Sequence, residues 1–343
     1  MAQIERGKPI RVGARGSQLS TVQTQSVIDK LQRLYPDITF EFKPISTRGD
    51  FFTSDSDKGD GIKGQFVKEI EDHLLAGTID LGVHSAKDLA SKLPDRLVLG
   101  PALERAEPWD VLISKDGLDL GSLPDGSSIG TSSIRRQAFL SVYRQDLIVE
   151  PLRGNVGTRL GKVGTKFTAI VLAKAGLTRL NEPINFTVHD IPKDIMLPAP
   201  GQGQLALEYR ESDEFIAEIL QPLQHLPSAL AMSAERGFTG QMGIGCTEPI
   251  AAYCYFNPDG HLVLEAALVD TRQGEIIKEE QSLAFGLAET GKLSGNSIGE
   301  SKQSLNRDLS LARYLSLARK LGQSVAEALL RVAPDWFLEE QGL

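Results

Sequence analysis

The chain is 343 residues long, 41% hydrophobic and 24% charged, with a formal net charge of −8. That length suits two or three domains, each with its own core, and the acidity argues against nonspecific nucleic-acid binding, which needs a basic face. No apolar run approaches a membrane span, and Met1 to Pro9 lacks the apolar centre of a secretory signal. Two cysteines, Cys246 and Cys254, make no disulfide scaffold, so a reducing compartment is expected: the cytoplasm, or an organelle stroma or matrix after removal of a transit peptide. The five histidines are scattered without metal-ligand spacing, so no metal is expected.

Along the chain, Pro9 to Val12 reads as a strand. Leu19, Val22, Val27, Ile28, Leu31 and Leu34 then recur at helical spacing. Ile38, Phe40 and Phe42 alternate as a second strand; Phe66, Val67, Ile70 and Leu74 form a helical stripe closed by Gly77. Ile79 to Val83 and Leu97 to Leu99 follow as strands. A second set begins at Asp110 to Ile113 and continues through Ser128 to Gly130, Leu147 to Val149 and Phe167 to Leu172, with helices between. Repeated strand–helix–strand units predict parallel sheets covered by helices, with ligands at the C-terminal strand ends.

The last third differs. Ile250 to Phe256, the turn Asn257-Pro258-Asp259-Gly260 and His261 to Val269 predict a hairpin; Thr271 to Gly274 offers a further turn before Ile276-Ile277. A long helix is expected over Leu309 to Val332. The Gly/Ser-rich, charged stretch Ala288 to Asn306 reads as a flexible insertion.

The segment Gly130-Thr131-Ser132-Ser133-Ile134-Arg135-Arg136 concentrates hydroxyls and guanidiniums at a helix start. Hydroxyls suit an N-cap, but two arginines in a first turn oppose the helix dipole, and a bound polyanion is the simplest reason for them. Other basic groups also follow strands: Arg15 and Ser17, Ser85 and Lys87, Arg153 and Arg159, and Arg179. A parallel sheet would gather these loops at one cleft. Singly, each is as well explained as a solvated surface charge; their recurrence favours a ligand with several carboxylates or phosphates, which arginine grips in two-pronged fashion.

Asp88, beside Lys87, is either an ion-pair partner or a carboxylate placed to stabilise a developing cation. His84 reads as a core histidine at a strand end. Cys246 lies in a glycine-rich loop and could be an attachment point, a nucleophile or neither; no local base accompanies it. Cys254 is inert packing. Gly201-Gln202-Gly203, after Pro198 and Pro200, reads as a crossover between domains.

These motifs, in this order, resemble the porphobilinogen deaminase family. The carrying segments are Arg15-Gly16-Ser17, Thr47 to Asp50, Lys63 to Glu69, Val83 to Asp88, Gly130 to Arg136, Leu152 to Arg159, Pro200 to Gly203, Ala234 to Arg236 and Gly245-Cys246. The resemblance implies an α/β fold: two periplasmic-binding-protein-like domains with parallel-rich sheets and crossing segments (1–103 with 204–222, and 104–203), plus a smaller α+β domain (226–343). It implies a transferase, monomeric, that builds a linear tetrapyrrole from porphobilinogen on a dipyrromethane cofactor held by a thioether to Cys246. Asp88 matches the catalytic aspartate. Asp50, Ser85, Lys87, Thr131, Ser132, Ser133, Arg135 and Arg136 would hold the cofactor; Arg15, Ser17, Lys63, Phe66, Arg153, Arg159, Arg179 and Gln202 would hold the growing polypyrrole. Neither nucleic acid nor membrane is an expected partner.

The chemistry agrees with the residues. Each pyrrole unit brings an acetate and a propionate, so a lengthening chain needs many cations. A carboxylate at the pyrrole N–H stabilises the cation left when ammonia departs. The chain departs from the family pattern at Gly243-Ile244, Ala90 and Gln204. The alternatives are a non-catalytic small-anion-binding protein, which would have no use for Cys246, and a paralogue that binds pyrroles without turnover, which the presence of Asp88 and Lys87 disfavours.

Overall fold

The computed structural model describes residues 8–46, 62–181, 183–243, 248–284 and 301–341. Asp50 and Cys246 lie outside the described residues. So do the side chains of Lys63 and Phe66, whose backbone opens a helix.

The first sheet unit runs β1 (Ile10–Arg15), α1 (Gln18–Leu34), β2 (Phe40–Ile45), α2 (Ile62–Leu75), β3 (Leu81–Ser85) and β4 (Leu97–Leu99). The chain then crosses to β5 (Asp110–Ser114). The second unit follows as β6 (Ser128–Gly130), α3 (Ile134–Tyr143), β7 (Ile148–Glu150), α4 (Val156–Leu160), β8 (Ala169–Ala173), α5 (Lys174–Leu180) and β9 (Thr187–Asp190). A second crossing returns the chain to β10 (Leu205–Arg210) and α6 (Glu214–Leu220). The third unit holds α7 (Leu226–Met242), β11 (Ile250–Phe256), β12 (His261–Asp270), β13 (Glu275–Ala284), α8 (Ser301–Val332) and α9 (Asp335–Gln341).

Two sheets repeat one order, β2-β1-β3-β10-β4 and β7-β6-β8-β5-β9. Within each, one strand runs against its neighbours: β10 is antiparallel to β3 and β4, and β5 to β8 and β9. Each reversed strand is the one delivered by a crossing segment. The sheets are therefore parallel-rich and mixed, and the two units are α/β, each receiving one reversed strand from a crossing segment.

β1 lies inside the sheet, between β2 and β3, with Ile10, Val12 and Ala14 all buried; one face of α1, through Val27, Ile28 and Leu31, closes the core with Leu205, Leu207 and Ile216. Leu112, Ile129 and Phe139 of the second unit share a core with Ala251, Ala267 and Val269 of the third sheet. Val67, Ala86 and Ala206 pack with Ala229 and Met232 of α7. The third unit is thus seated on both of the others.

Three departures from the sequence expectations have local causes. β9, Thr187-Val188-His189-Asp190, is short and largely exposed and carries no alternation to read. β10 places Glu208 inside an otherwise apolar run and is fully buried through that residue. α8 begins at Ser301, inside the stretch expected to be an insertion; the part of that stretch before Ser301 lies outside the described residues. Among the described residues no helix is long and apolar enough to cross a membrane, and no His/Cys/Asp/Glu group could hold a metal.

Candidate active site

The parallel strands β1, β3, β6, β7 and β8 each lead into a helical turn, and Ser17, Ser85, Thr131, Ser132, Ser133 and Arg153 lie in those connections. Ser17 caps α1, accepting from the Ser20 amide at 3.3 Å. Ser133 caps α3, accepting from the Arg136 amide at 3.5 Å. Asn155 caps α4, accepting from the Thr158 amide at 2.8 Å. These short polar side chains satisfy helix-start N–H groups locally. Thr131 is buried, and its hydroxyl accepts from the Ser133 amide at 3.2 Å. The Ser132 hydroxyl donates to the Leu152 carbonyl and accepts from the Leu152 amide, both at 2.9 Å, which clips the β6 turn to the β7 turn.

β3 ends in a single 3-10 turn, Ala86–Asp88, that leaves Asp88 exposed to the cleft and Lys87 half-buried beside it. The backbone here is clamped from the second crossing. The Ala86 amide donates to the Gln204 carbonyl at 3.0 Å. Gly201 has φ +74, and a Cβ on it would lie 2.9 Å from the Lys87 nitrogen, so only glycine lets the crossing approach this closely. The Ser85 hydroxyl points to Gln23 of α1 at 3.5 Å.

Gln202 is buried at 1% exposure. Its amide oxygen accepts from Lys87 Nζ at 3.3 Å, and its Nε2 donates to the Pro108 carbonyl at 2.6 Å and to Asp110 at 3.0 Å. It therefore joins Lys87, both crossings and the base of the second sheet.

Asp110, the first residue of β5, was not singled out from the sequence. It is fully buried and accepts from Arg135 Nη2 at 2.5 Å and from Arg136 Nε and Nη2 at 3.0 and 2.7 Å. Arg135 also donates to the Leu197 carbonyl at 2.6 Å and Arg136 to that of Val171 at 2.9 Å. Burial alone would raise the Asp110 carboxyl; the two guanidiniums outweigh it and hold it down at about 2. The arginines at the start of α3 thus have an internal counter-ion besides any ligand. The available signal was an acid opening a strand otherwise made of Val111, Leu112 and Ile113.

The cations of the cleft act on one another. Lys87 is pushed down to about 8, first by burial, then by Arg136, with Arg135 adding and Asp88 and Asp110 opposing. Arg159 is pushed down to about 10 by burial, then by Arg136 and Arg15, with Asp88 opposing. Arg15 and Asp88 from the first unit and Arg136 and Arg159 from the second therefore share one field. The fold brings these together as the recurrence of basic turns predicts.

Two further predicted residues are Arg179 and Arg153. Arg179 at the end of α5 donates to the Gly203 carbonyl at 2.6 Å, on the crossing itself. Arg153 is half-buried in the β7 turn, where its carbonyl accepts from Lys162 at 3.2 Å. A second residue the sequence reading did not assign is Glu235 of α7. It takes the Arg105 guanidinium at 2.6 and 3.3 Å, the Gly201 amide at 2.6 Å and the Cys254 amide at 2.8 Å, tying both crossings to the third unit.

A bound group with several carboxylates would relieve the repulsion among these cations, so the donor set fits a polycarboxylate cofactor and chain. A family model described as "Porphobilinogen deaminase, dipyromethane cofactor binding domain" matches residues 10–218. Porphobilinogen deaminase of Brevibacillus brevis is 39% identical over 295 residues, covering 84% of this chain and 95% of that protein. That of Geobacillus kaustophilus is 44% identical over 271 residues, covering 79% and 87%. Among solved structures, a probable amino-acid ABC transporter extracellular-binding protein from Bacillus subtilis aligns with 63% of this chain and 90% of its own at 9% identity and a TM-score of 0.41, too distant to bear on function. By the family model and by these relatives, the chain belongs to the porphobilinogen deaminase family.

Proposed function

We propose that the chain joins four porphobilinogen molecules head to tail on a dipyrromethane primer attached to Cys246, with Asp88 as the catalytic carboxylate. One ammonia leaves at each condensation, and hydrolysis frees the linear tetrapyrrole hydroxymethylbilane. The activity is that of a transferase in tetrapyrrole and heme synthesis. The observation that carries the reading is one exposed carboxylate, Asp88, set among Lys87, Arg15, Arg136 and Arg159 in a cleft whose cations repel one another.

When bound, the dipyrromethane supplies the pyrrole carbon on which the chain grows. The protein's own groups do the rest. As ammonia leaves the incoming porphobilinogen, positive charge spreads to its pyrrole nitrogen. Asp88 accepts a hydrogen bond from that N–H, stabilising the charge, and can take up the proton that the new carbon–carbon bond displaces. Lys87, Arg135 and Arg136 hold the primer's carboxylates, aided by the hydroxyls of Ser85, Thr131, Ser132 and Ser133. Arg15, Arg153, Arg159, Arg179, Ser17, Lys63, Phe66 and Gln202 serve the lengthening chain, and Asp50 is assigned to holding the primer. A thiolate is a soft nucleophile suited to the single attachment at Cys246.

The division into 1–103 with 204–222, 104–203 and 226–343 belongs to the same proposal, as do a monomeric state and a cytoplasmic location. The test is conversion of porphobilinogen by purified protein: a tetrapyrrole with four units and release of ammonia are expected, and saturable binding without consumption would leave an anion-binding protein instead.

A further inference from the structure

The Glu235 carboxylate of α7 works through both oxygens, and each serves one backbone amide and one guanidinium nitrogen. Oε1 accepts from the Cys254 amide at 2.8 Å and from Arg105 Nη1 at 2.6 Å. Oε2 accepts from the Gly201 amide at 2.6 Å and from Arg105 Nη2 at 3.3 Å. The two side chains are 1% and 10% exposed. A glutamine cannot fill this place, because its NH2 group would meet one of the two amide donors.

Arg105 is committed as fully. Its Nε donates to the Gln202 carbonyl at 2.9 Å, its own amide donates to Ser228 Oγ at 2.9 Å, and its guanidinium lies 5.1 Å from the centre of the Tyr253 ring. A lysine would keep the charge but has neither the fork nor an Nε. The pair therefore grips the backbone on either side of the Gly201–Gln202 peptide, the amide before it by the carboxylate and the carbonyl after it by the guanidinium.

Stability is a poor reason for such a pair, since desolvation offsets much of the attraction between buried charges. Its geometry has another use. The backbone it holds carries the Gln202 side chain, which accepts from Lys87 Nζ at 3.3 Å and donates to the Pro108 carbonyl at 2.6 Å and to Asp110 at 3.0 Å. Lys87 comes from the first unit. Asp110, the counter-ion of Arg135 and Arg136, comes from the second. Both meet on one side chain whose backbone is fixed from the third unit. The helix that fixes it, α7, ends at Met242, four residues before Cys246.

We propose that Glu235 and Arg105 act as one positioning unit for the cleft: by holding the Gly201 amide and the Gln202 carbonyl, they set the Gln202 side chain between Lys87 and Asp110 and so place the cations that receive the primer's carboxylates. Neither residue touches the reacting atoms. The role rests on the assignment of Lys87 to the primer, and it makes Gln202 the link through which the third unit acts on the other two.

The test is a double-mutant cycle on the holoenzyme: wild type, Arg105→Lys, Gln202→Ala and the two combined. kcat and KM for porphobilinogen are measured per primer-loaded molecule, and the urea midpoint on the same preparations. Each single variant is expected to lose about tenfold in kcat/KM. Because Arg105 acts through Gln202, the double variant is expected to fall no more than about threefold below the worse single. A merely structural pair would lower the urea midpoint of Arg105→Lys and leave kcat/KM per loaded molecule unchanged, which overturns the proposal. So do losses that multiply in the double variant, beyond that threefold. Glu235→Gln is expected to match Arg105→Lys where it folds; where it does not, the cycle stands without it. Failure of the Lys87 assignment would show separately, as wild-type kcat/KM in Lys87→Met.

Discussion

Asp110 holds Arg136 through a single oxygen: Oδ1 accepts from both Nε and Nη2, at 3.0 and 2.7 Å, while its other oxygen takes Arg135. One buried carboxylate therefore serves two guanidiniums, and Arg136 still acts on Lys87 and Arg159. Removing the carboxylate leaves two buried cations without that counter-ion, held only through backbone carbonyls. Asp110→Asn is expected to cost about 3–5 kcal/mol of stability, read as a lower urea midpoint. The sign of the pH dependence follows from a depressed carboxyl. The contribution is whole above the ordinary value of 3.8 and is lost as pH falls through about 2. A variant as stable as wild type at neutral pH would show that the arginines do not depend on Asp110.

Asp88 is proposed to act on the substrate, and among the described residues its exposed side chain makes no hydrogen bond or ion pair on which the turn depends. Asp88→Asn is expected to keep the primer and to bind porphobilinogen with KM within about threefold, while kcat falls by at least about a hundredfold. Steady-state kinetics on protein whose mass shows the primer attached would check it.

Lys87 keeps its charge below about 8 and loses it above. A lysine that pairs with ligand carboxylates then predicts a KM for porphobilinogen that rises as pH passes through about 8. Lys87→Arg keeps the cation, so its KM is expected to stay flat through that range even if its absolute value changes. The same rise in both proteins would assign it to another group.

Gly201 lets the crossing approach the Ser85–Asp88 turn. With φ +74 and a virtual Cβ 2.9 Å from the Lys87 nitrogen, Gly201→Ala must displace either the crossing or the turn. A fall in kcat of about tenfold or more is expected, with thermal stability lowered by about 1–3 kcal/mol. Full activity in that variant would mean that the clamp does not set the geometry of Asp88.

Much of the site was legible because its residues follow strands: Arg15, Lys87, Asp88, Arg136 and Arg159 sit where a parallel sheet collects its loops. What stayed hidden were partners supplied from far along the chain. Asp110 meets Arg136 across 26 residues, Gln202 meets Lys87 across 115 and Glu235 meets Arg105 across 130. Spacing along a sequence says nothing about such pairs; they follow from the two crossings. The reversed strands have the same cause. Leu205 to Arg210 has an ordinary strand composition, but only the return from the second unit sets its direction.

The most direct test of the account is the intact mass of the protein made where porphobilinogen is available, beside that of Cys246→Ser. Wild type is predicted to exceed the sequence mass by two porphobilinogen units less two ammonia molecules, and Cys246→Ser to show no increase. A wild-type mass equal to the sequence mass, in protein that still turns over porphobilinogen, would contradict it.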